Sequence, residues 1–294
     1  MTASTAVVSS RPSFYSIVPN RDRADDLFRS YIAFLEERNG DLFADDGFAH
    51  REAMMDTLGE HDAIYRGGFD NAVFNRNYVK LQDTDLSDEQ LALLAFVKMN
   101  AGEAYGVEVM SEARADLMAR PEPLYVLERV LGREENYHTK MLVGAADHFD
   151  GIEVEGAWRP AWPLKLLIFA LAKFPPSMFH PILLGAEISG VFTMNWMLGR
   201  LSTMFPDDPG VRESMEHRII EVLIDEVGHV AYNRICVGTA GMRAAKVLAR
   251  GVSKSHDDLT PELNVLGYAE ARKGLASFDY ADLPEEVRRK AWFA

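Results

Sequence analysis

Two tetrapeptides combine residue types that bind metals at a spacing that a helix makes useful: Glu135-Asn136-Tyr137-His138 and Glu226-Val227-Gly228-His229. Residues three apart share one helix face. In each tetrapeptide the carboxylate and the imidazole therefore reach a common point. Imidazole nitrogen with carboxylate oxygen suits iron or manganese. Two carboxylates so placed can bridge a pair of metal ions about 4 Å apart, each His binding one ion. One Glu-x-x-His would mean little, because 23 Glu and 8 His in 294 residues yield roughly 0.6 by chance. Two, each central in a long helical pattern, are harder to obtain that way. The competing reading is a pair of surface contacts on amphipathic helices.

The elements that must carry these residues are helices. Ser87-Asp88-Glu89-Gln90 is a capping box, with Ser87 as N-cap and Gln90 three residues on. A long helix is predicted from there to about Ala119, stopped by Pro121 and Pro123. A second is predicted over about 123–149, a third from Pro181 to about Met204, and a fourth from about Val211 to Thr239. Asp22 to Arg38 reads as an amphipathic helix, with Leu27, Tyr31, Ile32, Phe34 and Leu35 on one stripe. The stretch 39–85 is mixed, with a short helix near 50–59 and an aromatic-rich connection holding Tyr65, Phe69, Phe74 and Tyr78. Residues 150–163 read as a loop, Leu164 to Phe174 as a short apolar helix, and 241–253, 261–276 and 283–292 as weaker helices. No run alternates as a strand. The class is all-α: a flexible arm over 1–20, then one helical domain over 21–294 whose metal-binding core spans about 87–240.

Composition narrows the function. Hydrophobic residues make up 48% and charged residues 26%, which supports a sizeable core and argues against disorder. The formal charge of −14 disfavours nucleic acid as a partner. The one cysteine, Cys236, permits no disulfide within the chain, no thiolate zinc site and no Cys-rich electron-transfer module. Electrons for any redox reaction must come from another molecule. Met1 to Ser13 lacks an apolar core of signal-peptide length, and no run reaches the roughly 18 apolar residues of a membrane span. A cytoplasmic location is expected.

Each of the two remaining long helices offers a further glutamate. Glu103 sits in Ala101-Gly102-Glu103-Ala104-Tyr105-Gly106, and Glu187 in Gly185-Ala186-Glu187-Ile188-Ser189-Gly190. Glu108 and Glu112 are alternatives to Glu103, whereas no other acid lies between Glu155 and Asp207. Gly102, Gly106, Gly185, Gly190 and Gly228 each cost about 1 kcal/mol of helix propensity. Close helix approach, or room for metal and substrate, would offset that loss. The order is Glu103, Glu135/His138, Glu187, Glu226/His229, a half-site given twice. The gap between His138 and Glu187 is long enough for a crossover connection.

Over about 87–240 this pattern resembles the ferritin-like diiron-carboxylate superfamily. The stretches Glu134-Glu135-Asn136-Tyr137-His138 and Asp225-Glu226-Val227-Gly228-His229-Val230-Ala231-Tyr232 are similar to motifs of soluble acyl-carrier-protein desaturases. The arylamine N-oxygenases share the ligand order. The resemblance implies a four-helix bundle with added helices at both ends. It implies that Glu135 and Glu226 bridge two metals, that Glu103 and Glu187 are terminal or semi-bridging, and that His138 and His229 cap one metal each. Glu134 and Asp225 would accept the outer N–H of the opposite His. The metals implied are two irons, with mixed or paired manganese compatible with the same ligands. There are three departures. Gly190 and Val191 occupy the place of a Thr usual in desaturases and multicomponent hydroxylases. Val222 replaces an extra His of the N-oxygenases, and Gly228 replaces a frequent basic residue.

The function this implies is O₂ activation by an oxygenase acting on a small organic molecule, by N-oxygenation or hydroxylation, in a biosynthetic role. The substrate would be free or tethered to a carrier protein, the electron donor external, and a homodimer compatible. Alternatives are an acyl desaturase-like oxidase, a peroxide- or O₂-scavenging or iron-handling protein, a radical-generating subunit, or a metal-free interaction protein. Tyr105, Tyr137 and Tyr232 lie near the ligands in sequence. Packing is their expected role, with proton-coupled electron donation the alternative. His180, His217 and His148 are expected outside the ligand set, His180 as a helix-start or pocket residue. Leu166 to Ala172 with Phe174, Met178 and Phe179 reads as a buried core helix before a substrate tunnel.

Overall fold

The structure is a computed structural model that describes residues 12–18, 21–44, 48, 51, 53, 54, 57, 64–155 and 162–294. Every regular element among them is helical. The principal helices are α1 (Ala24–Asn39), α2 (Asn71–Val79), α3 (Asp88–Ala113), α4 (Pro123–Val143), α5 (Trp162–Ala172), α6 (Pro176–Leu198), α7 (Pro209–Cys236), α8 (Thr239–Leu259), α9 (Pro261–Val265) and α10 (Glu285–Lys290). Single turns of helix at Ala115–Met118, Leu201–Met204 and Tyr268–Ala271 fill the connections.

The capping box forms: the Gln90 N–H donates to Ser87 Oγ and the Ser87 N–H to Gln90 Oε1. From there the whole run Leu91–Val97 is buried. A helix apolar on every side belongs in the interior, and this one is enclosed by α4, α5 and α9. It ends at Ala113, earlier than predicted, and the chain turns at Arg114 into the turn Ala115–Met118. Helix α4 starts with Pro123 in its first turn, where the missing N–H costs nothing. It ends at Val143, and a 3₁₀ segment, Gly144–His148, replaces the predicted last turn. Helix α6 begins at Pro176, five residues before the predicted start, so Pro181 lies inside it. Residues 261–276, predicted as one helix, form α9, the turn Tyr268–Ala271 and a 3₁₀ segment. Within the aromatic-rich connection, α2 is a helix with Asp70 as N-cap, its carboxylate accepting from the Val73 N–H. Most of the predicted helix near 50–59 lies outside the described residues, as do residues 1–11 of the predicted arm.

The packing is dominated by three pairs: α3 with α4, α6 with α7, and α6 with α8. Helix α7 also meets α1, α4 and α10, and it is buried continuously from Val222 to Ile235. The ends of the chain close over this layer. Phe14 is fully buried against Phe278 and Phe293, and Arg234 of α7 donates to the Ala294 and Ser16 carbonyls. Residues 12–18 are therefore packed rather than loose. Trp162 and Leu166 of α5 are 71% and 59% exposed, which corrects the expectation of a buried core helix there. No helix among the described residues is long and apolar enough to cross a membrane.

Helix α8 reaches α6 at Gly185. A Cβ on Gly185 would lie 3.0 Å from the Ala249 nitrogen and 3.1 Å from the Ala245 carbonyl oxygen. Those backbone atoms cannot step aside, so close helix approach explains this glycine. Gly106 and Gly190 differ: an added Cβ would meet nothing within 4 Å. Gly185→Val is expected to cost about 1–3 kcal/mol through overpacking, read as a lower urea midpoint at unchanged slope. An unchanged midpoint would show that α8 does not hold α6 this closely.

Candidate metal centre

Four helices each bring an acid to one point. Glu103 comes from α3, Glu135 and His138 from α4, Glu187 from α6, and Glu226 and His229 from α7. They form two overlapping groups able to hold a metal ion: Glu103, Glu135, His138 and Glu226, then Glu135, Glu187, Glu226 and His229. Glu135 and Glu226 belong to both. In numbers, Glu135 Oε2 lies 3.4 Å from His138 Nδ1, and its Oε1 lies 3.1 Å from His229 Nδ1. Glu226 Oε1 lies 3.2 and 3.8 Å from the same two nitrogens. Glu103 Oε2 is 4.0 Å from His138 Nδ1. The two imidazole rings sit 5.7 Å apart, centroid to centroid.

The far side of each imidazole is held by the helix opposite. His138 Nε2 is 3.0 Å from Asp225 Oδ2, and His229 Nε2 is 3.2 Å from Glu134 Oε2. With each Nε2–H donating outward, each Nδ1 faces the inner carboxylates, and loss of its proton would free a lone pair for a metal. Such outer bonds fix tautomer and ring orientation at metal sites. The Arg51 guanidinium pairs with Asp225 and stands 3.6 Å from Glu134, while Arg38 lies 3.4 Å from Asp225. Asn39 in turn fixes Arg51, accepting from its Nε at 3.0 Å. These cations stand against the outer acids and offset their charge. Asp225 is held far below the usual carboxylate range because the two arginines and His138 outweigh the cost of its burial.

The inner residues face a different balance. Glu103 and Glu187 are pushed well above the usual range, first by burial and then by the neighbouring glutamates, against the pull of the histidines. Glu135 falls to about 2, because its contacts with His138 and His229 overcome its burial. Burial alone would lower both histidines, yet Asp225 or Glu134 and the inner glutamates raise them well above the usual value. Among the described residues, Glu103 Oε2, Glu135 Oε2 and His138 Nδ1 are buried without a hydrogen-bond partner. Four inward carboxylates, two inward imidazole nitrogens and unpartnered buried oxygens make a donor set that fits divalent cations. The four negative charges equal those that two such ions would neutralise.

The neighbouring tyrosines are placed by other contacts. The Tyr137 hydroxyl donates to the Phe48 carbonyl and its ring stacks on Phe48. The Tyr232 hydroxyl donates to Glu128, which is paired with Arg114. Tyr105 packs with Val109 and Ala172 towards α5. The residue that sequence reasoning missed is Tyr31, read only as part of an apolar stripe. It is fully buried, its hydroxyl has no partner, and the charges of Glu134, Asp225 and Glu226 help raise its pKa, after burial itself. A Cβ at Gly228 would fall 2.1 Å from the Tyr31 oxygen, so Gly228 is glycine to admit this ring. Arg51 and Arg38 were also missed, since nothing local in sequence ties them to residues more than 170 positions away. Of the other histidines, His148 bonds Ser214, His217 is exposed, and His180 lines a cavity.

Two outcomes are expected. Asp225→Asn should weaken Co²⁺ binding 10- to 100-fold, measured by competition with a chelator. An affinity equal to that of the parent protein would remove the outer carboxylates from the site. Because the metal-free fold raises the proton affinity of His138, His229, Glu103 and Glu187 above the usual values, a metal must compete with protons there. Affinity should therefore rise with pH, and keep rising above the ordinary imidazole range, and isothermal titration in buffers of different ionisation enthalpy should show proton release.

No family model matches the chain, and neither the curated proteins nor the solved structures searched contain a match to it.

Proposed function

We propose that the chain is a ferritin-like diiron-carboxylate protein that uses O₂ to oxygenate a small organic molecule, by N-oxygenation or hydroxylation. The observation that carries this reading is the sharing of Glu135 and Glu226 between two Glu/His groups. One metal site would use separate residues; two adjacent sites need common bridging carboxylates. In this reading α3, α4, α6 and α7 are the four-helix bundle, and the helices before and after are additions. Glu103 and His138 would hold one ion, Glu187 and His229 the other. A bound pair of redox-active ions supplies the electrons and the Lewis acidity for attack on O₂.

The chain's own part is orientation, charge and dryness. Asp225 and Glu134 fix the two imidazoles, and Arg51 stands against both acids. His138 and His229 are 0% and 1% exposed, which excludes water from their side of the centre. Glu103 and Glu135 keep 20% and 18% of their side chains exposed, so the approach for O₂ and substrate lies on their side. With Cys236 as the one cysteine, the reductant is a separate molecule. The substrate is free or carrier-tethered.

Anaerobic loading with ferrous ion, followed by elemental analysis, should give about two irons per chain. Glu135→Ala, which removes a carboxylate common to both groups, should lose at least one iron and abolish O₂ uptake driven by an artificial reductant. Parent protein that binds no metal, or O₂ uptake undiminished in Glu135→Ala, would end the diiron reading.

A further inference from the structure

A cavity of about 450 Å³ opens where α1, α4, α6 and α7 converge, away from the six inward ligands. Its volume falls in the range of small-molecule sites. Phe28, Leu124 and Ile235 give it apolar walls, Asp22 contributes a carboxylate, and His180 contributes an imidazole. Among the described residues, no lysine or arginine lines it.

His180 has a defined hydrogen-bonding state. It is fully buried, and its Nδ1 lies 2.9 Å from Asn233 Oδ1. The amide nitrogen of Asn233 is committed to the His229 carbonyl at 3.0 Å, so the amide oxygen is the atom that faces His180 and accepts. Nδ1 must then carry the proton, which leaves Nε2 as a lone-pair acceptor. That Nε2 is buried and has no hydrogen-bond partner among the described residues. Burial, reinforced by the charge of Arg114, lowers the pKa of His180 to about 4 against the Asn233 bond, so the ring is neutral near pH 7. A buried acceptor left unpaired is costly, and here it belongs to a residue that lines a cavity of ligand size.

An occupant that relieves this must donate a hydrogen bond and otherwise be apolar. Carboxylates and other acceptor-only anions would leave Nε2 unpaired and meet the charge of Asp22. We propose that this cavity binds a small apolar molecule through a hydroxyl or amino group that donates to His180 Nε2. The site stands independently of metal binding, although the His180–Asn233–His229 chain joins it to a candidate ligand.

The test uses full-length, metal-free protein with ¹⁵N-labelled histidine, the His180 resonances being assigned by their loss in His180→Phe. The probes are cyclohexanol, cyclohexylamine and cyclohexanecarboxylate. Cyclohexanol, cyclohexylamine or both should move the Nε2 resonance saturably while Nδ1 stays protonated, and the carboxylate should not. Which donor saturates at lower concentration tells hydroxyl from amino. Leu124→Trp fills the cavity without changing His180. It should keep the His180 signals and the thermal transition but weaken the response at least tenfold. No saturable shift with either donor, the same shift with the carboxylate, or an undiminished response in Leu124→Trp would each overturn the proposal.

Discussion

The constraint on which this structure depends is the burial of like charges. Four glutamates converge on two histidines inside a helical interior, where an unpaired carboxylate is costly. The fold answers in two layers. Outside, Arg51 and Arg38 neutralise Asp225 and Glu134, and those acids hold the outer nitrogens of the rings. Inside, no lysine or arginine is paired with Glu103, Glu135, Glu187 or Glu226 among the described contacts. The imidazoles and raised protonation carry the balance. A removed partner would be felt strongly, because breaking a buried pair leaves an uncompensated charge behind.

That electrostatic demand explains why α7 is so enclosed. A helix that presents Asp225, Glu226 and His229 within five residues could sit at a surface only with those groups in water. Here it is surrounded by α1, α4, α6 and α10. The enclosure is tight enough to dictate residue size. Gly228 admits the Tyr31 ring, and Gly185 lets α8 lie against α6 two residues from Glu187. Tyr31 is itself stacked on Trp292, with ring centroids 4.5 Å apart. The C-terminal segment thus closes the layer that shields the outer acids, and tail and centre form one packing unit.

The helical class and the candidate ligand positions were legible in the chain because their signals are local. A Glu three residues before a His needs only the helical period to share a face. The Ser87 capping box, Pro123 and Pro209 mark observed helix starts, whereas Pro121 and Pro206 stand eight residues past the observed ends at Ala113 and Leu198. Where punctuation was ambiguous the boundaries moved. Pro181 is compatible with a helix start, but Pro175 and Pro176 precede it and the earlier one wins. Helix α2 was missed because its aromatic spacing does not declare a period, although Asp70 was a cap in plain view.

By itself, then, the sequence determined an all-α chain, the two Glu-x-x-His faces and the two further glutamates, since each follows from spacing along one helix. Tertiary structure alone decided that the six side chains converge and that Glu135 and Glu226 lie between the two groups. It also decided that Arg51, Arg38 and Tyr31 stand around them and that His180 is left with an unmet acceptor. Those facts depend on distances between residues far apart in the chain. Such distances are set by how helices pack, by close approach at Gly185 and Gly228 and by the pairing of buried charges, and no periodicity within a single helix encodes them.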